Sequence, residues 1–304
     1  MQRHALPSIK FTTLRLQMIK YPFPVHKCDI GSNLEIAYCD EGSGDQTLLF
    51  IHGLANYIPV FKHNIEGLKG QFRCVAIDLP GNGLSSRGDY PYSMFFYAES
   101  LARFITQLDL QNVVLVGHSM GGQISLILSL RYPTLISKLV LLAPSGLEFY
   151  NDFECSMMKG LLSFGGMMYG DAMSLEAAIE NSYYHEQKKD AKHIVKDLIH
   201  LMQGEQGKYW RKMVQTNIEA MLNEQVFKFL PQINQKTLIV FGKQDAFIPN
   251  KLMHVGETTE SIAKKGAALI PNCQVEIIHH SGHFVQIESA DKVNALITKF
   301  IEAK

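Results

Sequence analysis

The chain has 304 residues, 46% of them hydrophobic and 19% charged, and its 29 Lys and Arg residues balance 29 Asp and Glu. That length can bury one large core, or a core carrying an insertion, without disulfide or metal staples, and the balanced charge leaves no polyelectrolyte face for nucleic acid. Cys28, Cys39, Cys74, Cys155 and Cys273 are odd in number and include no Cys-X-X-Cys pair, which predicts reduced, scattered thiols in a cytoplasmic setting rather than a disulfide framework or a zinc site.

Along the chain, Arg3, Lys10, Arg15 and Lys20 interrupt the first residues, so no secretory signal is expected. Nothing reaches the roughly twenty apolar residues of a membrane helix. The stretch Phe11 to Ile19 offers either a peripheral lipid contact or, more plainly, an extra strand or a poorly ordered arm. Pro24 to Ile30 and Leu34 to Tyr38, separated by Gly31-Ser32-Asn33, read as an antiparallel edge. Thr47 to Ile51 is a continuous apolar run, the mark of a strand covered on both faces, and it ends in His52-Gly53-Leu54. Phe72 to Ile77 is the next strand, followed by Asp78-Leu79-Pro80-Gly81-Asn82-Gly83-Leu84-Ser85, whose glycines and proline forbid regular structure. Helical spacing runs from Ser93 to Leu108. Strands at Val113 to Val116 and Leu139 to Ala143 enclose a helix ending near Tyr132. From Ser145 the short β-branched runs cease and helical stretches such as Leu175 to Ile179 and Ile194 to Met202 take over, broken by Gly160, Gly165-Gly166, Gly170 and Gly204. Strands resume at Thr237 to Phe241 and Gln274 to Ile278, and a helix closes the chain at Asp291 to Ala303. This alternation predicts an α/β fold, with a mostly parallel sheet and helices on both faces. Its core is residues 1–144 and 237–304, and residues 145–236 are an inserted helical cap.

The chemistry centres on Gly117-His118-Ser119-Met120-Gly121, set between a buried strand and a helix. A serine at such a turn is held out of the sheet in a strained conformation, and the next helix aims its free N–H groups and dipole at the same point. Ser119 therefore reads as a nucleophile. It needs a base, and the base needs an orienting group. Asp245, in Gly242-Lys243-Gln244-Asp245, and His283, in Ser281-Gly282-His283, both follow predicted parallel strands, so the topology brings them to the edge where Ser119 stands.

These motifs, with His52-Gly53 and the loop from Asp78 to Ser85, resemble the α/β-hydrolase superfamily over nearly all of the core. The resemblance implies an eight-stranded sheet, a catalytic triad of Ser119, Asp245 and His283, and an oxyanion hole made by the backbone N–H groups of Leu54 and Met120. It implies acyl transfer through an acyl-enzyme, with no cofactor and no metal.

Several residues compete for these roles. His279 and His280 precede His283, but Gly282 supplies the turn that brings His283 inward. Glu148 or Asp152, after the sixth strand, is an alternative acid to Asp245. His52 and His118 read as struts and Asp78 as a loop organiser. His185, His193 and His200 have no matching carboxylate or cysteine pattern for a metal. Met157, Met158, Phe164, Met168, Tyr183 and Trp210 in the insertion either line an adaptable apolar pocket or form the insertion's own core. The pocket reading makes the substrate a small hydrophobic ester. The expected activity is that of an esterase or monoacylglycerol-type lipase, with hydrolysis of a carbon–carbon bond in a ring-cleavage product as the alternative and a ligand receptor as a third reading.

Overall fold

The computed structural model describes residues 20–164, 177, 179–184, 189–203 and 207–303. Eight strands form one sheet: β1 (His26–Asp29), β2 (Glu35–Glu41), β3 (Thr47–Ile51), β4 (Arg73–Ile77), β5 (Val113–His118), β6 (Ile136–Leu142), β7 (Lys236–Gly242) and β8 (Cys273–Ile278). Their spatial order is β1-β2-β4-β3-β5-β6-β7-β8. β2 pairs antiparallel with β1 and β4, and every other pairing is parallel. The central strands are buried along their length because both faces are covered: all of Thr47–Ile51 and all of Val113–His118 are inside. β8, at the edge, alternates half-buried and exposed positions instead, with only Ile278 fully inside.

Helices cover both faces. α1 (Lys62–Leu68), α2 (Met94–Gln107) and α3 (Met120–Arg131) lie between the strands of the first half. Ser93 caps α2 by accepting the Phe96 N–H, and the helix buries Met94, Tyr97, Ala98, Leu101, Phe104 and Ile105 at three- and four-residue spacing. α3 is different. Met120 through Ser129 are all buried, so this helix is wrapped by protein on every side. Its first turn fits only because Gly121 has no Cβ: a side chain there would collide with the carbonyls of Ile51 and His52.

Between β6 and β7 run α4 (Asp152–Phe164), α5 (Lys189–Gln203) and α6 (Gly207–Asn223), the helical stretch expected from the loss of strand signals. The chain ends with α7 (Thr259–Ala267), α8 (Val285–Glu288) and α9 (Ala290–Glu302). α1, α7 and the one-turn α8 carry no strong periodic signal in the sequence, since each is short and takes its stability from packing and caps such as the reciprocal Thr258–Ser261 box. The expectation for Phe11 to Ile19 lies outside the described residues. Cys28, Cys39, Cys74, Cys155 and Cys273 are free thiols, and burial pushes those of Cys39 and Cys74 up to about 12. Among the described residues, no helix is long and apolar enough to cross a membrane.

Candidate active site

The parallel strands β3, β5, β7 and β8 deliver four loops to one edge of the sheet. β3 and β5 are neighbours whose onward connections leave in opposite directions, to β4 and to β6, so the switch point at which open α/β sheets hold their ligands falls between them. Ser119 stands at the end of β5 with φ 52° and ψ −119°, a conformation that costs a non-glycine residue on the order of 1–3 kcal/mol. The surroundings hold it there. Its N–H donates to Leu142 O at 3.0 Å, and its carbonyl accepts from Gly122 N at 2.8 Å and Ser145 N at 3.0 Å. Gly117 belongs to the same device, because a Cβ there would meet the Gly121 carbonyl and the Ser125 hydroxyl.

His283 Nε2 lies 3.0 Å from Ser119 Oγ, and its Nδ1 lies 2.9 Å from Asp245 Oδ2. Asp245 Oδ1 already accepts from the N–H groups of Phe247 (2.8 Å) and Ile248 (3.0 Å), which leaves its second oxygen to accept the hydrogen bond that His283 Nδ1–H donates. Nε2 is then the acceptor facing the serine hydroxyl. Both His283 and Asp245 are buried. The imidazole is boxed by Phe247, edge-on with ring centroids 5.0 Å apart, and by Phe284 at 5.7 Å.

The flanking histidines act as struts. His52 donates Nδ1–H to Gly53 O (2.8 Å) and accepts the Leu79 N–H at Nε2 (2.9 Å), tying the loop after β3 to the loop after β4. Burial pushes its pKa down to about 4, so it is neutral at pH 7. His118 is held well below the ordinary histidine range, first by burial and then by its electrostatic coupling to the His283 imidazole. Asp78 organises its loop as expected, accepting from Ile58 N (2.8 Å), Leu84 N (2.8 Å) and the Tyr21 hydroxyl (2.6 Å). Burial raises its pKa to about 6 against the lowering effect of those three donors.

The rivals go elsewhere. Glu148 accepts from Nδ1 of the half-buried His254 (2.6 Å) and from Asn250 N (2.8 Å), so its carboxylate is engaged by a partner other than His283. Asp152 is exposed in the first turn of α4. His279 and His280 are exposed, and His280 Nδ1 faces the Tyr184 hydroxyl at 3.2 Å.

The two expected backbone donors have distinct settings. Met120 is the first residue of α3, so its N–H is one that the helix leaves without an internal acceptor. Leu54 follows Gly53, where a Cβ would fit tightly, 3.0 Å from Ser119 Cβ. Of the aromatic and methionine residues singled out in the insertion, Trp210 and Tyr183 are buried. Met158 receives a weak hydrogen bond from Asn250 Nδ2 at 3.5 Å, and Met157 is exposed on α4 beside Phe153 and Leu161. Met168 and the side chain of Phe164 lie outside the described residues. Ser182, Tyr184 and Glu288 contact the loop of His283, and no spacing in the chain announces that contact.

A family model described as the alpha/beta hydrolase fold matches residues 46–290, from the strand before His52 to the start of α9. The chain belongs to that family. Among its relatives, the 2-hydroxy-6-oxononadienedioate/2-hydroxy-6-oxononatrienedioate hydrolase 1 of Pseudomonas putida is 26% identical over 88% of this chain and 92% of its own. A solved structure of a probable hydrolytic enzyme from Pseudomonas aeruginosa PAO1 superposes with a TM-score of 0.81 at 21% identity, covering 94% of this chain and 96% of that one. An esterase from Exiguobacterium antarcticum follows the same fold, with a TM-score of 0.72 at 22% identity over 89% of this chain and 96% of its own.

Proposed function

We propose that this member of the family is a serine hydrolase that cleaves a carboxylic ester with a hydrophobic acyl or alcohol group. The observation that carries the reading is the unbroken hydrogen-bonded chain from Ser119 through His283 to Asp245, with the serine on a strained turn at a helix N-terminus. His283 Nε2 takes the hydroxyl proton as Ser119 Oγ bonds to the ester carbonyl carbon. The backbone N–H groups of Leu54 and Met120 receive the developing oxyanion, each worth on the order of 3 kcal/mol of barrier. Collapse breaks the carbon–oxygen bond to the alcohol, which leaves with the proton returned by His283. Water then attacks the acyl-enzyme with His283 again as base, releasing the acid and the free serine.

We read residues 145–236 as a cap over the core formed by residues 1–144 and 237–304. Its α6 supports this: Asn217 accepts from the Tyr97 hydroxyl at 2.9 Å, and Tyr209 and Met213 crowd Gly81 in the loop after β4. In this reading the apolar side chains Trp210, Tyr183 and Met158, together with Met157, Phe164 and Met168, select the hydrophobic part of the substrate. The similarity, over 88% of this chain, to the 2-hydroxy-6-oxononadienedioate/2-hydroxy-6-oxononatrienedioate hydrolase 1 supports a second reading, cleavage of a vinylogous diketone by the same residues.

One panel tests both: nitrophenyl esters of graded acyl length and a vinylogous diketone, assayed with wild type and Ser119→Ala. Ester turnover that rises with chain length and disappears in Ser119→Ala is expected. Turnover of the diketone alone transfers the assignment to the second reading, and no Ser119-dependent turnover of either overturns both.

A further inference from the structure

We propose that Glu288 is a positioning residue whose carboxylate fastens the inserted segment Ser182 to Tyr184 onto the loop of His283, so that the seating of this segment sets where the imidazole stands. The proposal rests on the acyl-transfer reading above. Glu288 Oε1 accepts the Gly282 N–H at 2.9 Å, and its Oε2 accepts the Tyr184 N–H at 2.8 Å. One carboxylate thus bridges two chain segments about a hundred residues apart, through charge-assisted bonds stronger than neutral ones. The segment returns a bond of its own, since the Ser182 carbonyl accepts the His283 N–H at 2.9 Å. Ser182 is itself fully buried.

The backbone beside the imidazole is therefore held from outside its own loop. The amide of Gly282 is fixed by Glu288 and the amide of His283 by the inserted segment. Space reinforces the clasp. A Cβ on Gly282 would collide with the Ser182 carbonyl and come within 3.0 Å of Glu288 Oε1 and of Tyr184 N. The Tyr183 ring lies flat on that of Phe284, with centroids 4.8 Å apart and 8° between planes, so the residue after His283 is also covered by the segment. Lifting the segment strips the His283 N–H of its acceptor and uncovers Phe284. The imidazole then loses its register with Ser119 Oγ, and misplacement by about 1 Å can cost on the order of a hundredfold in rate. Nothing in this chain of contacts binds substrate through Glu288, so the loss falls on kcat.

The test uses the full chain in three variants, Glu288→Gln, Tyr183→Leu and the double variant. The measurements are the rate at which a fluorophosphonate labels Ser119, kcat and KM on nitrophenyl acetate, and the thermal midpoint. Glu288→Gln keeps the side-chain volume but only one acceptor oxygen. It is expected to lose about tenfold or more in both labelling rate and kcat, with KM on this small ester changed by less than about twofold. Tyr183→Leu loses activity in the same sense, and the double variant loses little beyond Glu288→Gln alone, because both changes release one segment. Folded single variants that label and turn over like wild type overturn the proposal, as do losses that multiply in the double variant. Should Glu288→Gln fail to fold, Tyr183→Leu decides alone by its labelling rate. A wild type that the probe does not label overturns the acyl-transfer reading itself.

Discussion

His118 donates its Nε2–H to the backbone carbonyl of His283 across 3.0 Å, so the residue just before Ser119 grips the main chain of the residue whose imidazole faces the Ser119 hydroxyl. The rings of the two histidines lie 5.0 Å apart, and His118 also packs on Phe284 at 5.2 Å. Because burial holds His118 well below the ordinary histidine range, it is a fixed strut and a poor base. His118→Ala leaves a buried carbonyl without its donor. Urea denaturation is expected to show a loss of about 1–3 kcal/mol, and the variant should label more slowly with a phosphonate. Unchanged stability would show that the bond is dispensable.

In the proposed mechanism, the carboxylate that serves His283 is set by partner and not by distance from Ser119 along the chain. Asp245 meets His283, whereas Glu148 meets His254. Asp245→Asn presents an amide to Nδ1 and favours the wrong tautomer, and kcat is expected to fall by about 10⁴-fold. Glu148→Gln should fall far less, and His280→Ala should retain acylation that His283→Ala loses. Steady-state assays on the best ester of the panel measure all four.

The strain at Ser119 carries its own prediction. Glycine relaxes at φ 52° where serine does not, so Ser119→Gly is expected to gain about 1 kcal/mol in a urea melt while losing all ester turnover. A destabilised Ser119→Gly would mean that the turn is held without cost.

Stability against pH has opposing contributions from two buried groups. The folded state holds His52 at about 4, below its unfolded value, so the unfolded chain takes up the proton first; this stability, on the order of 3 kcal/mol, is lost as pH falls from about 6.5 to 4. Asp78 works in the other direction. Its folded value of about 6 lies above the unfolded one, so its contribution declines by a similar order as pH rises from about 4 to 6. His118 adds to the histidine side. The unfolding free energy is therefore expected to rise from pH 4 to 6.5, and to rise more steeply in Asp78→Asn. Urea melts at several pH values measure both slopes, and a shallower slope in Asp78→Asn would contradict the assignment.

Much of the molecule was legible without coordinates because the signals are local. The apolar run Thr47–Ile51 coincides with β3, and Ser93 and Leu108 bracket α2 as expected from their spacing. Burial on both faces leaves its mark on five or six consecutive residues, and a helix leaves its mark on one turn and the next. The short α7 and α8 were not legible, since their stability comes from contacts distant in sequence.

The sequence by itself determined that a serine would stand between a buried strand and a helix, with an aspartate and a histidine after later strands. A parallel sheet then leaves those three loops on one edge. The turn at Gly282 already pointed to His283 over His279 and His280; only the tertiary structure decided that Ser182 and Glu288 hold the backbone amides of His283 and Gly282. Those bonds join backbone groups to partners that no residue type specifies, and an amide can take any acceptor that the folded chain brings within about 3 Å.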